Sequence, residues 1–132
     1  MAYSLQIATA TIYMEASGEG PQGELAVAHV LLNRQADGRW GKTLAQVCLA
    51  PEQFSCWNTT DPNRRRMAAL GNDDPALLSA NAALGAAQGG AADPTRGATH
   101  YYSAKMPSPP EWAGSGRFLV QIGNHRFYDQ VA

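Results

Sequence analysis

The segment ELAVAHVLLNR, Glu24–Arg34, is apolar on nearly every face once it is wound into an α-helix. A helix of that kind cannot lie on a surface, because it has no polar side to turn to water. The spacing predicts a buried central helix over about 22–35, closed by a turn at Asp37-Gly38. Everything else in the chain has to supply its cover. With 132 residues there is enough chain to do so in one domain, residues 1–132.

The flanking segments supply mostly helix. Residues 3–16 place Leu5, Ile7, Ala8, Ile12 and Tyr13 at helical spacing, and Gly18, Gly20 and Pro21 end that run. Thr43 followed by Gln46 is a capping-box pattern for a short helix over 44–49, which Pro51 should stop. Asp61-Pro62 and Asp74-Pro75 each read as an N-cap followed by a first-turn proline, opening helices over 62–70 and 75–88. The stretch QFSCWN, Gln53–Asn58, reads as loop or short extended chain. After GGAADPTRG the pattern changes. ATHYYSA is aromatic and β-branched enough for a strand, and RFLVQI and HRFY flank a Gly-Asn pair as in a tight hairpin. The prolines of KMPSPPEWAGSG make the connection irregular. The fold class is therefore α+β, a mostly helical body with a small C-terminal β-hairpin or sheet.

Composition excludes several roles. The net charge is −1, so neither nucleic acid nor an anionic membrane is implied as a partner. The one basic run, Arg64-Arg65-Arg66, reads as a solvated helix face. No stretch reaches the ~20 apolar residues that span a bilayer, so membrane insertion is not expected, and a monomer is. The opening MAYSLQIATATIYMEA lacks a basic n-region and carries no evident signal peptide. The expectation is a chain made in the cytoplasm, or one that has lost its leader. Cys48 and Cys56 are too few for a disulfide scaffold, and their C-x7-C spacing is not that of a zinc site. Half-buried thiols are expected, with a local disulfide left open.

The residues that could carry chemistry are few. No G-x-S-x-G, phosphate-binding glycine loop or H-E-x-x-H occurs. His29 sits in the most apolar helix and reads as a core histidine. His100 and His125 both fall in the β region, and with a carboxylate they could form an amidase-like zinc site. No paired ligand spacing supports that, so neither a metal nor another cofactor is expected. Of the eleven acids most sit in caps and turns. Glu15 and Glu19 differ, in YMEASGEG. Glu15 follows an apolar run at a helix C-terminus, where burial and the macrodipole both disfavour the charged form. That suits a proton donor. Glu19 lies on the same face if the helix runs on, and in a loop if Gly18 breaks it. Taken alone, the pair reads first as a polar helix end.

Longer stretches decide between these. IATATIYMEASGEGPQGELAVAHVLLNR resembles the opening of the SleB-type cell wall hydrolases, whose pattern is Y-x-E-A-x-G-E and then G-x-x-A-V-A-x-V-x-x-N-R. Tyr13, Glu15, Ala16, Gly18, Glu19, Gly23, Ala26, Val27, Ala28, Val30, Asn33 and Arg34 fit it. QFSCWN is similar to the family's Q-F-S-x-W segment, and ATHYYSAKMPSPPEWA followed by QIGNHRFY is similar to its ending. The resemblance spans residues 5–128. It implies a lysozyme-like domain cleaving peptidoglycan glycan strands between N-acetylmuramic acid and N-acetylglucosamine, usually as a lytic transglycosylase. It places the catalytic glutamate at Glu15. A bare catalytic domain with no leader or binding repeats looks more like a phage endolysin than a spore enzyme.

Glycosidic cleavage needs a proton donor on the leaving oxygen and relief of the oxocarbenium-like centre. Glu15 is assigned as general acid/base, and Glu19 either positions it or, in a true muramidase, activates water. Gln53, Phe54, Ser55, Trp57, His100, Tyr101 and Tyr102 are the expected substrate contacts, with Trp112 as a further cleft wall. Tyr13, His125 and Phe127 read as structural. A zinc amidase and a non-catalytic peptidoglycan-binding module are the alternatives.

Overall fold

A computed structural model describes residues 2–50, 53–58, 61–71 and 73–132, with the backbone only at Ala2, Ser55 and Asn63. Five α-helices precede a three-stranded sheet among the described residues. They are α1 (Ala2–Ala16), α2 (Gly20–Asp37), α3 (Leu44–Leu49), α4 (Pro62–Ala68) and α5 (Pro75–Gln88). The strands are β1 (His100–Ser103), β2 (Arg117–Ile122) and β3 (His125–Asp129), in the spatial order β1-β3-β2, all antiparallel. The α+β expectation, mostly helical with a small C-terminal sheet, holds.

The central helix is α2, as its composition requires. Val27, Ala28 and Leu31 face a helical core built with Ile12 and Met14 of α1, Val47 and Cys48 of α3, and Leu84 of α5. Ala26 and Val30 face the other way, onto Ala98 and the fully buried Phe127 of the sheet. Each large apolar side chain enclosed this way stabilises the fold by about 1.5–3 kcal/mol. Burial also explains why α1 forms despite its threonines and isoleucines. Thr11 and Ile12 are fully buried, and packing overrides their weak helix propensity.

Local signals set most of the boundaries. Thr43 accepts from the Gln46 N–H, and the Gln46 side chain accepts from the Thr43 N–H, closing the expected capping box. Pro51, expected to stop α3, lies outside the described residues. Gly38, at φ +88°, ends α2 by donating its N–H to the Arg34 carbonyl. Asp74 caps α5 by accepting from Ala76 N–H at 2.9 Å. Two expectations need correction. Pro21 does not stop a helix but sits in the first turn of α2, where its missing N–H has no partner to lose. QFSCWN is neither loop nor extended, because Ser55–Trp57 wind into a 3-10 turn. A second 3-10 turn, Glu111–Gly114, follows the last proline of the irregular connection.

The sheet is fastened to α2 at its entry and at its hairpin. At the entry, Asn33 Nδ2 donates to Asp93 at 3.0 Å and to the Ala98 carbonyl at 2.9 Å. At the hairpin, Asn124 donates its backbone N–H to Glu19 Oε1 at 2.8 Å and its amide to Oε2 at 3.1 Å. Glu19 precedes α2 as its N-cap residue, so Gly18 does break the first helix. Close approach demands glycine here. A Cβ on Gly123, which has φ +57°, would collide with the Glu19 carboxylate. Gly123→Ala is therefore expected to destabilise the protein by about 1–3 kcal/mol, from strain and a lost clasp. Urea titration checks this against Gly114→Ala, where an added Cβ meets nothing and the midpoint should hardly move.

Candidate active site

Glu15 stands in the last turn of α1, half-buried, facing the seam between the helical core and the sheet. Strand alternation sends Tyr101 and Ser103 to the inner face of β1, and His100 and Tyr102 to the outer one. Tyr101 therefore points at α1 and donates its hydroxyl to Glu15 Oε1. Its ring packs on His125 at 4.8 Å and Phe127 at 5.5 Å, which fixes the phenol's direction. The hydroxyl end is enclosed, and burial together with the Glu15 charge pushes the phenol well above its usual range. It stays a neutral donor.

The 3-10 turn closes a second side. Trp57 Nε1–H donates to Thr11 Oγ1 at 2.9 Å, one helical turn before Glu15 on the same face of α1. The Cys56 thiol beside Trp57 is buried, and the nearby Glu15 charge adds to burial in pushing it up. Cys48 is buried as well, so the expectation of half-buried thiols is corrected. Both thiols are free, and burial raises both, Cys48 to about 11. Arg64 is also less exposed than a solvated face implies. It donates to the Trp57 carbonyl at 2.6 Å and braces the same turn.

Behind Glu15 lies a buried cation. Arg34 is 4% exposed, and among the described residues it forms no ion pair with a carboxylate. Its Nε donates to the Thr99 carbonyl at 2.6 Å and its Nη1 to Gln53 Oε1 at 3.0 Å. The guanidinium lies 4.6 Å from the Trp40 ring centre and 5.1 Å from that of Phe54. Burial lowers its pKa to about 10, with the Glu15 charge opposing, so it remains charged at neutral pH. One side chain thus joins α2, the lead into β1 and the Gln53–Trp57 segment.

The expected contacts do not all converge. Tyr101 reaches Glu15, Trp57 reaches α1, and Gln53 is held by Arg34. Phe54 is buried in the helical core beneath Arg34. The Ser55 side chain lies outside the described residues. His100 and Tyr102 line the outer sheet face with Trp112, whose ring lies 5.1 Å from His100 and 5.9 Å from Tyr102. His125 points inward, so the two histidines sit on opposite faces and the zinc pairing fails geometrically. Among the described residues no group of three or more His, Cys, Asp or Glu side chains could hold a metal ion. Glu19 is held ionised, chiefly by the Asn124 backbone N–H, which keeps its carboxyl below the ordinary range.

A helical body with a small three-stranded sheet at its C-terminal end has counterparts of known structure. A family model described as Cell Wall Hydrolase matches residues 18–128. The chain belongs to the cell wall hydrolase family. The match begins just after Glu15, and structural likeness extends over nearly all of the chain. The catalytic domain of the Bacillus cereus SleB protein superposes with a TM-score of 0.77 at 25% identity, covering 98% of this chain and 91% of that one. The catalytic domain of the germination-specific lytic transglycosylase SleB from Bacillus anthracis gives the same score and identity, with 96% of its own chain covered. No curated protein matches the chain significantly. The activity that goes with this cell wall hydrolase is degradation of peptidoglycan. No helix among the described residues is long and apolar enough to cross a membrane.

In the sequence Arg34 is only a motif position, and its burial beside the site comes from the fold; a lone arginine at the end of an apolar helix is the available signal. Nor does the sequence orient His100. Burial and the nearby Arg34 and Arg39 charges lower the His100 pKa from an ordinary 6.5 to about 4, and burial lowers that of His125. Below 6.5 the unfolded chain gains protons that the folded one refuses, so stability is lost as pH falls from about 6.5 to about 4. The carboxyls of Glu19 and Asp93, held below their ordinary range, titrate later. Thermal melts should show Tm falling by a few degrees between neutral pH and the lower end of that window. His100→Phe should flatten the slope; an unchanged slope would remove His100 as its source.

Proposed function

We infer that this cell wall hydrolase cuts the glycan strand between N-acetylmuramic acid and N-acetylglucosamine as a lytic transglycosylase, with Glu15 as its single acid/base. The observation that carries the reading is the Glu15 carboxylate held by the Tyr101 hydroxyl at the helix–sheet seam. The Bacillus anthracis neighbour's description as a lytic transglycosylase supports the reaction type.

The steps need only one protein carboxyl. Protonated Glu15 gives its proton to the leaving glycosidic oxygen, and the bond from C1 to that oxygen breaks. The muramoyl N-acetyl oxygen closes on C1 and relieves the oxocarbenium-like centre. Glu15, now a carboxylate, takes the proton of the C6 hydroxyl. That oxygen attacks C1, the N-acetyl oxygen leaves, and a 1,6-anhydro sugar forms with Glu15 protonated again. Tyr101 acts through Glu15 as a positioning residue, fixing one carboxyl oxygen while the other meets substrate.

Glu19 favours this route over hydrolysis. Both of its oxygens accept from Asn124, so a water-activating role would require breaking the hairpin clasp. Inverting hydrolysis would also need two carboxyl groups about 6.5–9.5 Å apart across the sugar. Glu19 is accordingly assigned to positioning the junction that carries Glu15. Gln53, Ser55 and Trp57 are the proposed glycan contacts on the helical side. His100, Tyr102 and Trp112 offer aromatic faces to sugars further along the strand. Phe54 supports that side from below.

Glu15→Gln is expected to cut wall lysis by at least about a thousandfold while leaving the thermal melt in place. Lysis at the wild-type rate would end the assignment. Mass spectrometry of digested peptidoglycan reads the reaction type directly. Anhydro-muramoyl ends are expected, whereas products one water heavier would establish a muramidase.

A further inference from the structure

We propose that Arg34 is a positioning residue that turns the Gln53 amide nitrogen toward the glycan, where it donates to the N-acetyl carbonyl of the glucosamine residue. The inference deepens the transglycosylase reading and rests on it. Its geometry comes from the guanidinium. Arg34 Nη1 donates to Gln53 Oε1 at 3.0 Å, and Nε donates to the Thr99 carbonyl at 2.6 Å. The ring centres of Trp40 and Phe54 lie 4.6 and 5.1 Å from the guanidinium carbon. Bonded along two edges and packed on rings, the side chain is buried with no room to swing. The other partner is fixed as well. Gln53 N–H donates to the Ala50 carbonyl at 3.3 Å, Phe54 is buried in the helical core, and Trp57 pins the 3-10 turn to Thr11.

The chemistry narrows what the pair can do. A guanidinium has donors only, so the Gln53 atom that meets it must be the oxygen. Nε2 is then the far end of the amide, and it is a donor. Hydrogen bonds in a chain polarise one another, so a cation on the oxygen strengthens donation from the nitrogen. Gln53 is half-buried, in the segment proposed to line the helical side of the cleft. The strong acceptor that recurs along a peptidoglycan strand is the N-acetyl carbonyl, one on each sugar. On the proposed route the muramoyl carbonyl is engaged at C1, which leaves the glucosamine carbonyl for Gln53. Stability alone would favour a different residue. Among the described residues no carboxylate pairs with Arg34, and a glutamate at position 53 would supply one. It could not donate, however. The amide therefore suits the site rather than the fold.

The test is steady-state kinetics on solubilised peptidoglycan, either fully N-acetylated or with its glucosamine residues de-N-acetylated. Wild type, Q53E, Q53L and R34K are compared, each with a thermal melt. Wild type is expected to show a KM about tenfold higher on the de-N-acetylated strand, with kcat little changed. Q53E should carry the same rise already on the N-acetylated strand and little further rise on the other, while melting no lower than wild type. That combination separates positioning from packing, because a residue that only stabilises the fold would move Tm and leave KM alone. Q53L, which leaves Nη1 unsatisfied, should raise KM and lower Tm. R34K keeps the charge without the fork, so Gln53 loses its direction and KM should rise as in Q53E. Should R34K fail to fold, Q53N carries that comparison, its amide being one methylene too short to reach both Arg34 and the sugar. Wild-type KM in Q53E, or a wild-type enzyme indifferent to de-N-acetylation, would overturn the donor. Wild-type KM in R34K or Q53N would overturn the positioning. An active Glu15→Gln enzyme would sink the underlying reading. An inactive one beside Q53E with wild-type KM sinks this inference alone.

Discussion

A helix without a polar face must be covered on every side, and α2 is covered by two unlike partners. Helices α1, α3 and α5 close one side around Val27, Ala28 and Leu31. The sheet closes the other around Ala26 and Val30. Neither partner could bury α2 alone. The seam between them is therefore a necessary product of burying α2, and it is where Glu15 and Tyr101 meet. Tyr101 packs against both cores, so its hydroxyl is aimed by the packing of the whole molecule rather than by a loop.

The seam is held by polar side chains that leave α2 and the residue before it. Glu19 takes the hairpin turn, Asn33 takes the loop before β1, and Arg34 takes Thr99 and Gln53. Arg34 is the costly member. A buried guanidinium loses its hydration, and no carboxylate among the described residues repays it. Two hydrogen bonds and two ring faces offset part of that cost. What remains is a fixed positive charge close to Glu15, in a place where a carboxylate partner would have cancelled it. Retaining so expensive a group fits a role in the site better than a role in stability.

How much of this could be read beforehand depended on range. The Thr43–Gln46 capping box, the Gly38 stop and the Gly123-Asn124 hairpin are decided by neighbouring residues, and all stood as expected. The burial of α2 was legible because its composition admits no alternative. The faces of β1 were not. HYYS carries no alternation to say which tyrosine points inward, and only the pairing with β3 settles it for Tyr101. Cys56 and Arg64 were misjudged for a related reason. Their exposure is set by the Trp57–Thr11 bond, which joins residues 46 apart in the chain. Glu15 itself was ambiguous in YMEASGEG and gained a role only beside the QFSCW and THYY segments, the two that fold against it.

The two glutamates that looked alike in sequence have been divided by their surroundings. Glu19 faces an N–H and an amide from one turn and keeps its charge there. Glu15 accepts from a phenol that burial keeps neutral. That difference matters on the proposed one-glutamate route, where the acid must also act as base. A second carboxylate bonded to Glu15 would hold its proton in one state and resist its return in the other. A cation bonded to it directly would prevent protonation. Neutral donors steady both forms: they bond the carboxylate strongly and still allow the carboxyl to keep its proton. On the proposed one-glutamate route the same group is discharged and recharged within one turnover. The clasp at Glu19 then serves the chemistry indirectly, by holding the sheet that brings Tyr101 to Glu15.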